Sequence, residues 1–165
     1  MRGERSAVSR ILVPTDFSDC SVAALDYAVA LAKPFNADLI LVHVIEPFPY
    51  NVIDGLTFVD YGARLASETQ ALLDRLSKRA LKEKLSVATR LTEGIPFREI
   101  INMAKREKAD LIVIGTHGRT GMTHLITGSV AERVVRLAPC PVVTVRMQAP
   151  VLPPKKAGRG RSVKR

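Results

Sequence analysis

One stretch of the chain has residue types and a spacing that could hold an anion. It contains two glycines and, nine residues later, a glycine followed by a serine. Gly115 and Gly118 come after a short apolar run, and Gly128 and Ser129 come before a helix-type pattern. Glycines let the main chain approach phosphate oxygens because no Cβ stands in the way. A helix start carries unpaired N–H groups and the positive end of the helix dipole. The stretch therefore predicts a phosphate site, with the loop between the two pairs wrapped over a polyphosphate.

The helix after this loop has its own start signal. Ser129 is followed three places later by Glu132, which is the pattern of a capping box. Val130 and Val134 then lie on one face of the predicted helix. The plain alternative is that the glycines are only turn residues and the serine only an N-cap. The order of buried strand, glycine pair, loop and capped helix favours the anion site, with Arg119 near the phosphate charge.

A second polar group follows the first predicted strand, residues 10–14. Thr15 and Asp16 stand at the carboxyl end of that strand, where open α/β sheets bind ligands. A carboxylate would repel phosphate, so Asp16 fits a hydroxyl or amino group of a nucleoside better. An aspartate in an ordinary turn is the open alternative. Ser18 is placed to cap the helix that follows.

Strands and helices alternate along the chain, which predicts a parallel sheet with right-handed crossovers. Strands are predicted at 10–14, 37–44, 87–92, 111–114 and 142–145, and helices after Ser18, at 61–84, from Pro96 and from Ser129. The long helix is expected to bury Leu65, Leu72, Leu76 and Ala80. Residues 45–60 read as irregular, and their large apolar side chains would cover the sheet or a bound base: Phe48, Tyr50, Ile53 and Phe58.

The glycine pattern resembles the ATP-binding motif of the universal stress protein family, and three further segments are similar to that family. They are Ile-Leu-Val-Pro-Thr-Asp at 11–16, His43-Val44, and Pro-Cys-Pro-Val-Val at 139–143. The resemblance covers residues 9–146. It implies a Rossmann-like nucleotide-binding α/β fold, with a five-stranded parallel sheet in the order 3-2-1-4-5 and helices on both faces. The order would reverse between strands 1 and 4, where Asp16 and Gly115 would meet.

The resemblance and the residues together give one candidate nucleotide site. Its ligand would be ATP, or AMP or ADP, with Mg²⁺ or Mn²⁺ held by the phosphates, and the resemblance implies that Val44 meets adenine through its main chain. The candidate residues are Pro14, Thr15, Asp16, Val44, Ile114, Gly115, Thr116, His117, Gly118, Arg119, Thr120, Gly128, Ser129 and Val130. No residue is assigned a catalytic role or a metal. His43 is read as a core or loop histidine with its hydrogen bonds satisfied.

Several enzyme classes are excluded by missing motifs. The chain has no GxxxxGK[ST], no GxGxxG after the first strand and no GxSxG. No general base is clearly placed to activate a water. The missing base indicates binding without efficient catalysis, and the family resemblance implies that this binding serves nucleotide-dependent regulation in a stress response. The alternatives are a slow metal-dependent ATPase or phosphotransfer enzyme, and a nucleic-acid-associated protein that acts through its tail.

Length and charge place these features in one domain. The chain has 165 residues and a formal net charge of +9, and residues 147–165 contain six basic side chains and no acidic one. We expect a flexible N-terminus at 1–8, a universal stress protein domain at 9–146 and a disordered basic tail at 147–165. No apolar run is long enough for a membrane span and no secretory signal is apparent, so we expect a cytoplasmic protein with reduced cysteines.

The last predicted strand, Val142 to Val145, would be a short apolar edge of the sheet. Exposed edges invite pairing with another chain, and the resembling family commonly pairs through this strand. We therefore expect a homodimer, and a proline at Val143 should weaken it by removing a backbone donor.

Overall fold

Five parallel strands form one sheet, in the order β3-β2-β1-β4-β5. The computed structural model describes residues 8–47, 55–116 and 128–146. The strands are β1 (Arg10–Pro14), β2 (Asp38–Ile45), β3 (Val87–Glu93), β4 (Leu111–Gly115) and β5 (Val142–Val145), and the helices are α1 (Asp19–Ala32), α2 (Gly55–Lys82), α3 (Pro96–Arg106) and α4 (Ser129–Leu137). The predicted strand order and parallel pairing are confirmed.

The central strands are buried on both faces. Ile11, Leu12 and Val13 of β1 have no exposed surface. Because successive side chains of a strand point to opposite faces, Ile11 and Val13 join a core beneath α1 and α2, while Leu12 joins a second core beneath α3 and α4. Apolar runs without a polar alternation are what such a doubly covered sheet requires.

The chain changes faces of the sheet once, and that change creates a crevice. The helices that follow β1 and β2 pack in one core, and those that follow β3 and β4 pack in the other. β1 therefore sends its chain to one face and its neighbour β4 sends its chain to the opposite face. Open sheets of this kind bind ligands outside the carboxyl ends of such a strand pair.

Two predicted helix starts are confirmed. Ser18 is extended (φ −69°, ψ 158°), and its side chain accepts a hydrogen bond from the Ser21 N–H. Pro96 occupies the first turn of α3, where its missing N–H has no intrahelical partner to lose.

α2 differs from its prediction in its start and in part of its inner face. The helix begins at Gly55, so part of the segment that was predicted to be irregular is helical. From residue 62 onward its buried side chains are Thr69, Leu73, Ser77 and Ala80. The predicted burial of Ala80 is confirmed and Leu76 packs partly buried on the same core, whereas Leu72 is 40% exposed. The prediction followed the leucines, but the buried face is set by the three- and four-residue spacing of a stripe that includes two hydroxyls. The buried Ser77 hydroxyl donates a hydrogen bond to the Asp74 carbonyl within the same helix.

Asp110 ties the amino ends of β1 and β4 together. Its Oδ2 accepts the N–H groups of Ser9 and Arg10, each at 2.9 Å. The same carboxylate lies near Cys140, whose pKa is raised by burial and, to a smaller extent, by this negative charge. Both Cys140 and Cys20 are free thiols.

Within the three described ranges, no helix is long and apolar enough to cross a membrane. Several predicted features lie outside those ranges. They are the terminal segments 1–7 and 147–165, the apolar residues Phe48, Tyr50 and Ile53, and the loop residues 117–127.

Candidate functional site

The β1–α1 loop forms one side of the crevice and is held by its own polar side chains. The buried Thr15 donates its N–H to the Val42 carbonyl at 2.9 Å, and its Oγ1 accepts the N–H of Phe17 at 3.0 Å. Oδ1 of Asp16 accepts both the N–H and the hydroxyl of Ser18. Thr15 and Asp16 therefore stand at the carboxyl end of β1, as predicted, in a loop with fixed geometry.

β2 contributes the neighbouring wall of the crevice. Pro14 pairs in register with Val42, so His43 and Val44 continue β2 beside the β1–α1 loop. The Val44 side chain packs with the core beneath α3. His43 is half-buried, and its Nδ1 lies 2.7 Å from the Thr15 carbonyl oxygen. This hydrogen bond fits the prediction that His43 is a satisfied histidine.

The end of β4 is pressed against the first turn of α1. An ideal Cβ built on Gly115 would lie 3.0 Å from the backbone carbon, the carbonyl oxygen and the Sγ of Cys20. The absence of a side chain at Gly115 thus permits the close approach of α1, a role that local sequence does not indicate because the two residues are far apart in the chain. Ile114 and Thr116 flank it and are buried, and Thr116 donates its N–H to the Val145 carbonyl at 2.9 Å.

The start of α4 is joined directly to the end of β4. The Gly128 N–H donates to the Thr116 carbonyl at 2.5 Å, which brings the first turn of α4 to the carboxyl edge of the sheet. Gly128 is the extended N-cap (φ −62°, ψ 147°). A glycine cap has no side chain to accept the first-turn N–H groups, in contrast to Ser18 at α1. This helix start therefore has the free donors and the positive dipole end that suit an anion.

The predicted capping box at Ser129 is wrong. Ser129 is the first helical residue rather than the N-cap. The Glu132 N–H bonds to the Gly128 carbonyl at 3.0 Å, and the Glu132 side chain lies 4.0 Å from Arg136. The N-cap is Gly128, one residue earlier than predicted, and its N–H is bonded to the carbonyl of Thr116, the residue after β4. Ser129 and Val130 thus contribute first-turn N–H groups, and the Ser129 side chain is exposed.

The described residues bring the two predicted halves of the site to the same edge of the sheet. From one side come Pro14, Thr15, Asp16 and Val44, and from the other come Ile114, Gly115, Thr116, Gly128, Ser129 and Val130. Four further predicted residues, His117, Gly118, Arg119 and Thr120, lie outside the described residues. Phe17 was not predicted, although its position directly after Thr15 and Asp16 was a signal. It has φ 65° and packs its ring 4.6 Å from that of His43.

A separate groove of about 500 Å³ lies between α1 and α2, toward the opposite end of the sheet. Four of its five charged side chains form two ion pairs, Arg79–Asp26 at 2.8 Å and Lys33–Glu83 at 2.5 Å. These pairs join the C-terminal ends of α1 and α2, and their side chains are about half exposed. We therefore assign the groove to helix packing rather than to ligand binding.

Comparisons with known proteins agree with this architecture. A profile of the universal stress protein family matches residues 7–146. The universal stress protein MJ0531 of Methanocaldococcus jannaschii is 35% identical over 147 residues, which cover 88% of this chain and 86% of that protein. The solved structure of MJ0577 from the same organism has a TM-score of 0.76 at 29% identity, over 86% of this chain and 98% of that one. A universal stress protein in complex with cAMP has a TM-score of 0.65 at 29% identity, over 85% and 98% of the two chains. The chain belongs to the universal stress protein family.

Proposed function

We propose that the protein binds an adenine nucleotide in the crevice between β1 and β4 and uses it for regulation in a stress response. The observation that carries this proposal is the hydrogen bond from the Gly128 N–H to the Thr116 carbonyl. It places a helix start without a side-chain cap at the edge of the sheet where Thr15 and Asp16 stand. Family membership and the cAMP complex of a similar protein support the adenine nucleotide.

The proposed ligand lies across the crevice with its two ends in different surroundings. Thr15, Asp16 and the main chain of Val44 hold the nucleoside, between the walls formed by Pro14 and Ile114. The phosphates lie against main-chain donors of the first turn of α4 and of the β4 end, which continues into His117, Gly118, Arg119 and Thr120. A Mg²⁺ or Mn²⁺ ion is held by the phosphate oxygens. ATP is the proposed ligand, with ADP and AMP as shorter alternatives.

Heat release of copurified nucleotide, followed by mass spectrometry, tests the ligand directly. Calorimetric titration with ATP, ADP, AMP and GTP then ranks base and phosphate preference. Saturation by an adenine nucleotide, with GTP weaker, is the expected result. A protein that binds none of the four would refute the proposed function.

Asp16→Asn separates the carboxylate charge from the structure of the loop. The amide keeps an oxygen that can accept the Ser18 N–H, so we expect the melting temperature to stay within about 2 °C, equivalent to under about 1 kcal/mol. Affinity for ATP is expected to fall about tenfold, because a hydrogen bond to a charged acceptor contributes about 1.5–3 kcal/mol. If the carboxylate binds the nucleoside end, the affinity for adenosine should fall by the same factor as the affinity for ATP. A loss seen with ATP but not with adenosine would place Asp16 at the phosphates.

We propose binding without efficient turnover. ATP hydrolysis is expected to be slower than about 1 per second, the lower end of common enzyme rates. Phosphate release with magnesium or manganese, compared with buffer that contains the same metal, is the measurement. A metal-dependent rate above this value that His117→Ala or Asp16→Asn abolishes would place the protein among the enzymes.

We further propose a homodimer through β5. In the described sheet β5 pairs with β4 alone, and Leu137 of the preceding helix is 56% exposed. The proline test needs a different position from Val143. The Pro141 carbonyl accepts the N–H of Ile112 in β4, and the Val145 carbonyl accepts that of Thr116, the residue after β4. Because backbone groups alternate along a strand, those of Val143 also face β4. Val142 and Thr144 face outward.

Thr144→Pro is therefore expected to weaken the dimer and leave the fold intact, since it removes an outward donor from an edge strand. Val143→Pro is the matched control and should instead destabilise the monomer by breaking the β4–β5 ladder. Light scattering and thermal unfolding of both variants give the two readouts. A parent protein that is monomeric at micromolar concentration would contradict the proposed dimer.

The proposed domain bounds, location and role of the tail are based on family membership. We propose residues 9–146 as the functional unit, the cytoplasm as its location, and the basic segment 147–165 as separable from nucleotide binding. Any nucleic-acid binding by the full chain should then depend steeply on salt and be absent from a chain that ends at Arg146.

A further inference from the structure

The β1–α1 loop carries backbone strain at the candidate nucleoside site. Phe17 has φ 65°, in the left-handed region that bulky side chains avoid. Such a conformation persists only where neighbouring contacts hold it. Phe17 packs against the core beneath α1 and α2, and two more specific contacts add to this. The Phe17 N–H donates to Thr15 Oγ1 at 3.0 Å, and the Phe17 ring packs against His43 at 4.6 Å with an interplanar angle of 36°.

His43 also fixes the residue at the other end of this strained segment. Its Nδ1 lies 2.7 Å from the Thr15 carbonyl oxygen. A carbonyl can only accept, so Nδ1 carries the proton and donates it. One side chain of β2 therefore holds the main chain of Thr15 and the ring of Phe17. Asp16 is the residue between them.

The position of His43 in the sheet explains why its side chain contacts both Thr15 and Phe17. Leu39 and Leu41 of β2 point into the core beneath α1 and α2, and His43 continues the same alternating row at the carboxyl end of the strand. Val44, one residue later, packs on the opposite face. His43 thus lies beneath the β1–α1 loop, whereas Val44 lies along the wall of the crevice.

We propose that His43 is the positioning residue of the nucleoside end: through Thr15 and Phe17 it holds the strained loop in the geometry that presents Asp16 to the ligand. The inference rests on the proposed nucleotide binding. His43 is assigned no contact with the ligand, and its effect on binding passes, in this proposal, through the position of Asp16. That dependence separates a positioning role from a purely structural one.

A double-mutant cycle measures the dependence. Calorimetric titration with ATP and magnesium compares the parent, His43→Leu, Asp16→Ala and the double variant. His43→Leu leaves the Thr15 carbonyl without its donor and should weaken binding about tenfold. In the Asp16→Ala background the same change should cost less than about twofold, because the residue being positioned is gone. A full tenfold loss in both backgrounds would overturn the proposal.

Two further variants isolate the hydrogen bond. His43→Asn places an amide nitrogen near the position of Nδ1, so it should recover binding to within about threefold of the parent. Leu91→Ala is the matched control, since Leu91 is the register partner of His43 on β3 and packs on the same core. It should lower the melting temperature but leave affinity within about twofold. If Leu91→Ala weakened binding as much as His43→Leu, His43 would be structural only.

A measurement on the parent protein covers the case in which His43→Leu does not fold. The ¹⁵N shifts of the imidazole should show a protonated Nδ1 near neutral pH, and the Nε2–H tautomer would overturn the proposal. A parent protein that binds no nucleotide would refute the proposed function and this inference with it. A parent that binds ATP while His43→Leu binds equally well would refute this inference alone.

Discussion

Gly115→Ala is expected to lose about 1–3 kcal/mol of folding stability, the usual cost of forcing an extra methyl group into a packed interior. For a chain of this size the loss corresponds to a melting temperature lower by about 3–10 °C. The added methyl would lie 3.0 Å from three atoms of Cys20, two of which are backbone. A flexible side chain could move aside, but the first turn of α1 cannot without disturbing the Ser18 cap.

Two companion variants identify the cause of that loss. Cys20→Ala in the Gly115→Ala background removes the Sγ contact and leaves both backbone contacts, so it should recover less than half of the lost stability. Gly62→Ala is the matched control, since a Cβ there meets nothing within 4 Å and Gly62 lies inside α2. Alanine in a helix interior is favoured over glycine, so this variant should gain up to about 1 kcal/mol.

Thermal and urea unfolding of the three proteins, with circular dichroism as the signal, provide the measurement. If Gly115→Ala proved as stable as the parent while its nucleotide affinity collapsed, the glycine would serve the ligand rather than the approach of α1. The sequence alone suggested that Gly115 contacts a ligand. The contact with Cys20 gives a different reason for a glycine at this position, the close approach of α1.

The parts of the fold that the sequence predicted depend on local patterns. Strands β1, β2 and β4 were visible because burial on both faces requires uninterrupted apolar residues. The Ser18 cap and the proline at the start of α3 are decided within one helical turn. The strand order came from the family resemblance rather than from any pattern in the residues, since pairing of separate strands leaves no local trace.

The errors arose where a distant part of the chain competes for a backbone group. Ser129 has the neighbours of an N-cap, but the Thr116 carbonyl fixes the Gly128 N–H and makes glycine the cap. In α2 the predicted burial of Ala80 is confirmed, but Leu72 is exposed and the buried face includes Thr69 and Ser77 instead. The outward direction of Thr144, rather than Val143, follows from the register of β5 on β4. None of these facts is encoded by spacing alone.

The corrected start of α4 also sharpens the test of the phosphate site. Gly128 has φ −62° and ψ 147°, which any residue adopts without strain. A substitution there changes what faces the first-turn N–H groups without demanding a new backbone conformation. The N–H that donates to Thr116 is retained by every residue except proline.

Gly128→Asp is expected to keep or raise the stability of the protein while it lowers ATP affinity on the order of a hundredfold, or about 2.7 kcal/mol. An aspartate at the N-cap accepts first-turn N–H groups and interacts favourably with the helix dipole, which stabilises α4 by a few tenths of a kcal/mol. The same carboxylate occupies the proposed phosphate position and repels its charge. Stability and affinity should therefore change in opposite directions, which general damage to the fold cannot produce.

Gly128→Asn and Ser129→Ala complete the series. Asparagine has the shape and the capping ability of aspartate without its charge. It should therefore accept the first-turn N–H groups of α4 and lower the affinity for ATP about tenfold. Because Ser129 is not the cap, its alanine variant should bind within about threefold of the parent, since at most one neutral hydrogen bond is lost. Calorimetric titration with ATP and magnesium, beside thermal unfolding, gives both readouts for each protein. A folded Gly128→Asp protein that binds ATP as tightly as the parent would mean that the phosphates do not lie at the start of α4.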